Sequence, residues 1–428
     1  MSSMLEEILD RRNIEKALES VEANKGASGV DNMPWDMLRP HIGANWQQMR
    51  KSILEGSYRP QPVREVEIDK PSGGKRKLGI PTVIDRMLQQ AIAQWLMPKY
   101  EESFSDRSYG FRPNRSAHQA VLLAQSYLNE GKTWVIEFDL ENFFDKVNHD
   151  RLMSILSRKV EDKRTLKLIR KYLTSGIMSG GVTSTRREGT PQGSPLSPLL
   201  SNIILDELDK ELEKRGHAFV RYADDISVFV SSKAAAVRAM ESITSFVEGK
   251  LLLKVNRRKT RISTPEESAL LGFSFHRSKT GKYIIVVAAK SVDRIKQKFK
   301  AITLRSKGIS EKERITQLNT IIRGWVNYFK IASARTLMQH LDGRVRSRLR
   351  MCSWKQWKNI STRRTNLMKL GAKPRIGFLW GASSKGYIRV AQGPILEQTL
   401  TISYYRKHGY AGFYDLYQNQ TAKQIKLF

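Results

Sequence analysis

The sequence predicts an α+β fold in which short strands joined by tight turns carry acidic side chains and helices supply most of the mass. Three observations point there. Residues 58–80 hold two alternating segments, PVREVEI and KRKLGI, on either side of KPSGG, a turn of hairpin chemistry. Residues 219–230, FVRYADDISVFV, read as strand, tight turn, strand, with two adjacent aspartates at the tip. Around them, apolar residues recur at helical spacing over residues 5–24 and at Leu199, Leu200, Ile203, Ile204 and Leu208.

Composition narrows the function. The 428 residues hold 74 Lys and Arg against 42 Asp and Glu, a net charge of +32 that points to a polyanion, nucleic acid before anionic membrane. No apolar run reaches the roughly 18 residues of a spanning helix. The acidic start MSSMLEEILDRRN lacks the basic stretch and apolar core of a signal peptide, so a cytoplasmic protein without a membrane partner is expected. One cysteine, Cys352, excludes an internal disulfide framework and a cysteine-held zinc. The seven histidines are scattered, so a catalytic metal would sit on carboxylate oxygens, which suits magnesium. Only 6 acidic residues against 28 basic ones come after Lys290. That asymmetry suggests an acid-bearing catalytic part with a basic nucleic-acid clamp behind it, the boundary lying near residues 289–292.

Along the first part, the 58–80 hairpin gathers Lys70, Lys75, Arg76 and Lys77 around its turn, as a phosphate gripper or as an ordinary solvated turn. A helix is expected over residues 81–100, with Pro81 in its tolerant first turn. SYGFRPNRSAHQA then leads into a helix through Leu128; Arg112 and Arg115 in it could hold phosphates or brace the loop. Residues 134–140 read as a short buried strand, and Asp139 stands near its end, where an acid has no packing reason to be. Such a carboxylate beside a backbone carbonyl, here that of Leu140, suits a hard cation, although a lone aspartate there also serves as a cap. Asp224 and Asp225 are adjacent like charges that raise each other's proton affinity unless a cation offsets them. GTPQGSPLSPLLSNI, residues 189–203, is a flexible loop opening a helix near residues 195–199, a place to dock a nucleotide or simply a linker and cap.

Read in order, NKGASGVD, YRPQPVR, KPSGGKRKLGIPTVIDR, SYGFRPNR, FDLENFFDKVNHD, GTPQGSPLSPLLSNI, RYADD, LKVNRRKT, LGFSF and IRGWVNYFK resemble the motif series of reverse transcriptases. The resemblance is greatest to the bacterial group II intron-encoded reverse transcriptase/maturases and spans roughly residues 24–357. It implies a right-hand polymerase. Residues 1–290 would form fingers and palm, with an antiparallel palm sheet and an N-terminal helical extension. Residues 291–368 would form a helical thumb/maturase domain, and residues 369–428 a small basic nucleic-acid-binding appendage.

By the same resemblance, Asp139 and Asp224 match the metal-binding palm carboxylates and Asp225 the third acid, around two magnesium ions for which manganese can substitute. Lys70 and Arg76 match residues on the incoming triphosphate. Phe144 matches the aromatic gate that rejects a ribose 2′-hydroxyl, and Gln192 a residue near the templating pair. Lys259 stands where a polymerase lysine can protonate pyrophosphate. Ser194 departs from the pattern, since many relatives carry a second glycine there. In the basic part, Arg344, Arg346, Arg348 and Arg350 fall in one helical segment near Trp354 and Trp357 and are expected on an RNA or duplex backbone.

The function expected is an RNA-directed DNA polymerase that binds its group II intron RNA, assists splicing and copies the intron into a DNA target. Its partners would be RNA template, DNA primer or target, and deoxynucleoside triphosphates, in a bacterial cytoplasm, as monomer or dimer. Rivals are a domesticated reverse transcriptase in repair or defence, a non-catalytic RNA-binding splicing factor, and an RNA-copying RNA polymerase, against which the bulky Phe144 argues. Intact Asp139, Asp224 and Asp225 argue against the splicing factor.

Overall fold

The structure, a computed structural model, describes residues 3–69 and 73–425. Its backbone gathers into two compact units, Met1–Pro265 and Glu266–Phe428. The hairpin just ahead of residue 289 therefore belongs to the second unit and not to the first.

The strands of the first unit are, in chain order, β1 (Val63–Asp69), β2 (Lys75–Ile80), β3 (Trp134–Phe138), β4 (Ile177–Ser179), β5 (Val182–Ser184), β6 (Ala218–Tyr222), β7 (Asp225–Val230) and β8 (Arg261–Ser263). They form two four-stranded sheets, ordered β2-β1-β4-β5 and β6-β7-β3-β8. The hairpin expected over residues 58–80 is β1 and β2, in antiparallel register with Asp69 opposite Lys75. Lys70, in its turn, lies outside the described residues. The strand–turn–strand expected around the paired aspartates is β6 and β7, which close on Tyr222 opposite Asp225 and leave a two-residue turn, Ala223-Asp224.

Alternation along β3 explains its position. Ile136 and Phe138 point into the main core with Ile226 and Val228 of β7, against helices Val83–Glu101 and Ser197–Lys214. Burying these aliphatic and aromatic faces supplies the main favourable term, about 1.5–3 kcal/mol for each large side chain. The other face of β3, bearing Glu137 and then Asp139, is left for polar work.

Local chemistry sets the helix boundaries. The helical pattern over residues 5–24 is two helices, Met4–Ile8 with a Ser3/Glu6 capping box and Arg11–Asn24 capped by Asp10. Helix Val83–Glu101 is capped by Thr82, whose hydroxyl accepts the Asp85 N–H, so Pro81 lies just before the cap and not in the first turn.

The second unit opens with the antiparallel hairpin β9 (Phe273–Arg277) and β10 (Tyr283–Val287), followed by helices Ala289–Ile302, Glu311–Phe329, Arg335–Gln356 and Ile360–Lys369. Residues 370–425 fold back on these helices. Helix Phe413–Ile425 packs on Glu311–Phe329 and Arg335–Gln356. Its start is fixed by Asp342, whose carboxylate accepts from the Phe413 and Tyr414 N–H groups at 2.9 and 2.8 Å and from the Tyr410 hydroxyl at 2.7 Å. The Tyr404 hydroxyl donates to Glu311, the Tyr417 hydroxyl to the Ala332 carbonyl, and Tyr405 is buried. Several tyrosines of this basic segment are thus spent on internal packing. Among the described residues no helix is long and apolar enough to cross a membrane.

Candidate active site

Strand register brings the separated acids together. β3 pairs antiparallel with β7, the last pair being Phe138 opposite Ile226. One step further the chain places Asp139 beside Asp225, directly at the Ala223-Asp224 turn. Direct cross-strand neighbours share a face, so Glu137, Asp139 and Asp225 look the same way.

The turn is held from beneath. Ala223 adopts φ +57°, a left-handed conformation unfavourable for a residue with a Cβ. The wholly buried Arg221 donates through Nη1 to the Ala223 carbonyl at 3.0 Å and to the Asn202 side-chain oxygen at 2.9 Å. Its Nε and Nη2 grip Asp209, itself fully buried, at 2.8 and 2.5 Å. Asn202 then donates to the Gly110 carbonyl at 2.9 Å. The segment before Gly110 docks on β6: Tyr109 N–H donates to the Arg221 carbonyl and Arg221 N–H to the Arg107 carbonyl, both at 2.9 Å. Arg221, Asn202 and Asp209 were given no role by sequence reasoning. The signal available was an arginine in the centre of a buried strand, a position that requires a buried acid elsewhere.

Asp139 is fixed from the other side by the loop 254–260. Its carbonyl accepts the Asn256 N–H at 2.8 Å, its Oδ2 accepts from Asn256 Nδ2 at 2.8 Å, and its N–H donates to Thr260 Oγ1 at 3.2 Å. Lys259 Nζ stands 3.4 Å from Asp139 Oδ2, which places this residue at the acids. A bridge between Leu140 and Val255 is closed by Glu141 N–H to Lys254 O and Asn256 N–H to Asp139 O, so the Leu140 carbonyl is not consumed by it.

Electrostatics couple the three acids. Burial pushes the Asp224 carboxyl above the ordinary range and the Asp139 charge adds to it, while Arg76 and Arg221 pull it back. Asp225 is pushed up to about 6 by its sheltered surroundings and by Asp224, Asp139 and Glu137, against the pull of Lys259. Its side chain is nonetheless open to solvent, which screens part of that repulsion. Among the described residues no group of three or more His, Cys, Asp or Glu side chains stands ready to hold an ion. What is present is an all-oxygen set: the Asp139 and Asp224 carboxylates, mutually repelling, and the Leu140 carbonyl. That set could hold magnesium, which takes one or two carboxylates and completes its shell with water and substrate phosphates.

The remaining expected residues divide. Arg76, exposed on β2, is close enough to act on the Asp224 charge. Phe144 is half-buried on the short helix Phe143–Lys146, edge-on to Phe143 with ring centroids 5.2 Å apart, and its carbonyl accepts the Thr190 N–H. Gln192 is joined to β2, its carbonyl accepting the Gly79 N–H at 2.7 Å. Ser194 is buried and hydrogen-bonded to Gln89, and its hydroxyl also accepts the Leu196 N–H at 3.3 Å. It has no left-handed φ, unlike Gly193 at +114°, so this position does not require glycine.

Several arginines expected on nucleic acid are turned inward. Arg112, its side chain 1% exposed, donates to Glu101 and to the Ser105 and Ser108 carbonyls, so it braces its loop and offers nothing to a phosphate. Arg115 pairs with exposed Asp106 at 2.5 Å. In helix Arg335–Gln356, Arg350 is buried on the Leu400 carbonyl and Glu397, and Arg348 bonds Thr303 and the Lys300 carbonyl. Arg344 is exposed and Arg346 half-buried. The helix turns one face to its own unit, and the sequence spacing alone did not say which arginines lie on it.

With this geometry in view, the comparisons with known proteins are direct. Residues 68–283, half of the chain, match the family described as reverse transcriptase (RNA-dependent DNA polymerase), and the chain belongs to that family. Its class is RNA-directed DNA polymerase on a reverse transcriptase fold. Residues 292–371 match the group II intron maturase-specific domain, which makes it a reverse transcriptase of the group II intron type. The chain is 36% identical to Protein YkfC of Escherichia coli over 280 residues, covering 56% of this chain and 74% of that protein. It is 29% identical to the group II intron-encoded protein LtrA of Lactococcus lactis over 411 residues, covering 74% and 68%. A solved Cas6-RT-Cas1--Cas2 complex is similar at TM-score 0.39 and 26% identity, over 58% of this chain and 43% of that one.

Proposed function

We propose that the protein extends a DNA primer on an RNA template at the edge formed by Asp139, Asp224 and Asp225, and that its second unit grips intron RNA to assist splicing and reinsertion. In this reading the first sheet and the N-terminal helices are fingers, the β6-β7-β3-β8 sheet is the palm, and residues 291–368 are the thumb/maturase region. The single observation that carries it is the β3–β7 register, which sets Asp139 against the Asp224 turn.

A pair of magnesium ions bound at this edge would supply the charge that activates the primer 3′-hydroxyl and neutralises the leaving pyrophosphate. The protein's own residues position and compensate. Asp139 and Asp224 would hold the ions on the protein side, with the Leu140 carbonyl beside them. Asp225 sustains the negative field. Arg76, with Lys70, pairs with triphosphate oxygens. Lys259, held by Asp139 until substrate arrives, gives a proton to pyrophosphate. Phe144 closes the space that a ribose 2′-hydroxyl would need, and Gln192 lies by the templating base.

The test is oligo-dT-primed extension on an RNA template with deoxy- and ribonucleotides in parallel. Extension with deoxynucleotides only is expected, and Phe144→Ala should admit ribonucleotides. Equal use of both sugars by the wild-type protein would contradict the reading.

A further inference from the structure

Within the second unit, two clefts join along helix Arg335–Gln356. The larger, about 910 Å³, is edged by Lys296, Lys300, His340, Arg344 and Arg348. It shares Arg348 and Ile388 with a smaller cleft of about 510 Å³. No carboxylate lines either one.

The smaller cleft has a different character. Leu304, Met351 and Ile388 give it an apolar floor, and Leu304 and Ile388 remain 45% and 59% exposed. Arg305, Arg348 and Arg389 rim it. Arg305 lies over the Tyr387 ring, its guanidinium carbon 4.6 Å from the ring centre, and Lys355 Nζ stands 5.6 Å from the same ring. Arg348 is pinned by Nε to Thr303 Oγ1 at 2.5 Å and by Nη2 to the Thr303 carbonyl at 3.1 Å; Nη1 takes no part in those bonds. Exposed aliphatic side chains among cations, two of which are held in place, fit neither a protein core nor a plain surface. A flat apolar ring bearing a phosphate fits both features.

We propose that this cleft receives one unpaired nucleotide of a bound RNA, its base on the Leu304–Ile388 floor against the Arg305–Tyr387 stack and its phosphate at Arg348 and Arg389. The adjoining basic cleft carries the backbone on either side. Unstacked bases of RNA bulges and loops are recognised in this way, on aromatic and guanidinium planes. The inference rests on the reading of this unit as an RNA grip. It adds that the short helix Tyr387–Ala391, beyond the maturase match, selects an irregular RNA element over a regular duplex.

The test compares binding of the full chain to an RNA hairpin with a single unpaired uridine in its stem, to the same hairpin fully paired, and to the DNA version of the first. The bulged RNA should bind on the order of ten-fold more tightly than the paired one, the size of one stacked base. Tyr387→Leu should remove most of that preference while leaving the paired hairpin's affinity within about two-fold, and Arg389→Ala should weaken the bulged hairpin more than the paired one; circular dichroism checks that each variant is folded. Equal affinities for bulged and paired RNA in the wild-type protein would overturn the proposal. So would variants that weaken both hairpins alike, or a bulged DNA hairpin that binds as well as the RNA. Binding of the paired hairpin separates the two readings: paired RNA bound without bulge preference removes this inference alone, whereas no binding of either hairpin removes the reading beneath it.

Discussion

The backbone of Gly110 lies so close to that of Ala223 that a Cβ on Gly110 would stand 2.2 Å from the Ala223 nitrogen. Backbone cannot yield as a flexible side chain can, so Gly110→Ala must displace the turn that carries Asp224. A misplacement of about 1 Å at a reacting centre costs on the order of 100-fold in rate. Gly110→Ala is therefore expected to lower primer extension by that order while RNA affinity changes little. Filter binding alongside single-nucleotide incorporation checks it, and an unchanged incorporation rate would contradict the packing argument.

Arg221 and Asp209 test whether the network under the turn positions it or only stabilises the fold. Removing one partner of a fully buried pair costs about 3–5 kcal/mol, whereas replacing both with apolar residues is often nearly neutral. Arg221→Met should thus destabilise strongly, and Arg221→Met with Asp209→Leu should recover most of the melting temperature. Activity should stay low in the double variant, because the Ala223 carbonyl and Asn202 remain unheld. Recovery of incorporation together with stability would make the network a matter of folding alone.

Repulsion at the acids has a pH signature. Asp225 holds its proton more tightly when folded, with a pKa near 6 against 3.8 as its reference. The folded state therefore gains on the unfolded as pH falls from about 6 towards 4, and it carries a constant penalty above 6. In the absence of divalent ions, Asp225→Asn should raise the melting temperature above pH 6 by about 1–2 °C, a small figure because the side chain is solvent-screened. The gain should vanish near pH 4. Differential scanning calorimetry across that range decides it, and a gain that grows on acidification would show the sign to be wrong.

The arginines give a contrast between surface and interior. Arg344→Ala should reduce RNA affinity and lower the slope of log K against log salt by about one. Arg112→Ala and Arg350→Ala should instead leave that slope unchanged and cost about 3 kcal/mol or less of stability, as expected when buried acceptors lose a charged donor. Salt titrations and denaturant melts on the three variants separate these outcomes.

How far apart the interacting residues lie along the chain decided which parts were legible in the sequence. The β1–β2 and β6–β7 hairpins were, because turn and alternation are local. Asp139 and Asp224 stood out because an acid at the end of an apolar strand lacks a packing role. The brace from Gly110 through Asn202, Arg221 and Asp209 was not legible, since its members are joined only by folding. The inward turn of Arg112 and Arg350 was hidden for the same reason: their acceptors, Glu101 and the Leu400 carbonyl, lie 11 and 50 residues away. The return of residues 370–425 onto the preceding helices is held in part by Asp342, a single acid whose three donors lie near residues 410–414.

The most direct measurement of the central claim is RNA-templated DNA synthesis by Asp224→Asn and wild-type protein at matched RNA occupancy. The account predicts that the variant binds the primed RNA as the wild type does and incorporates no deoxynucleotide. Undiminished synthesis by Asp224→Asn would contradict it.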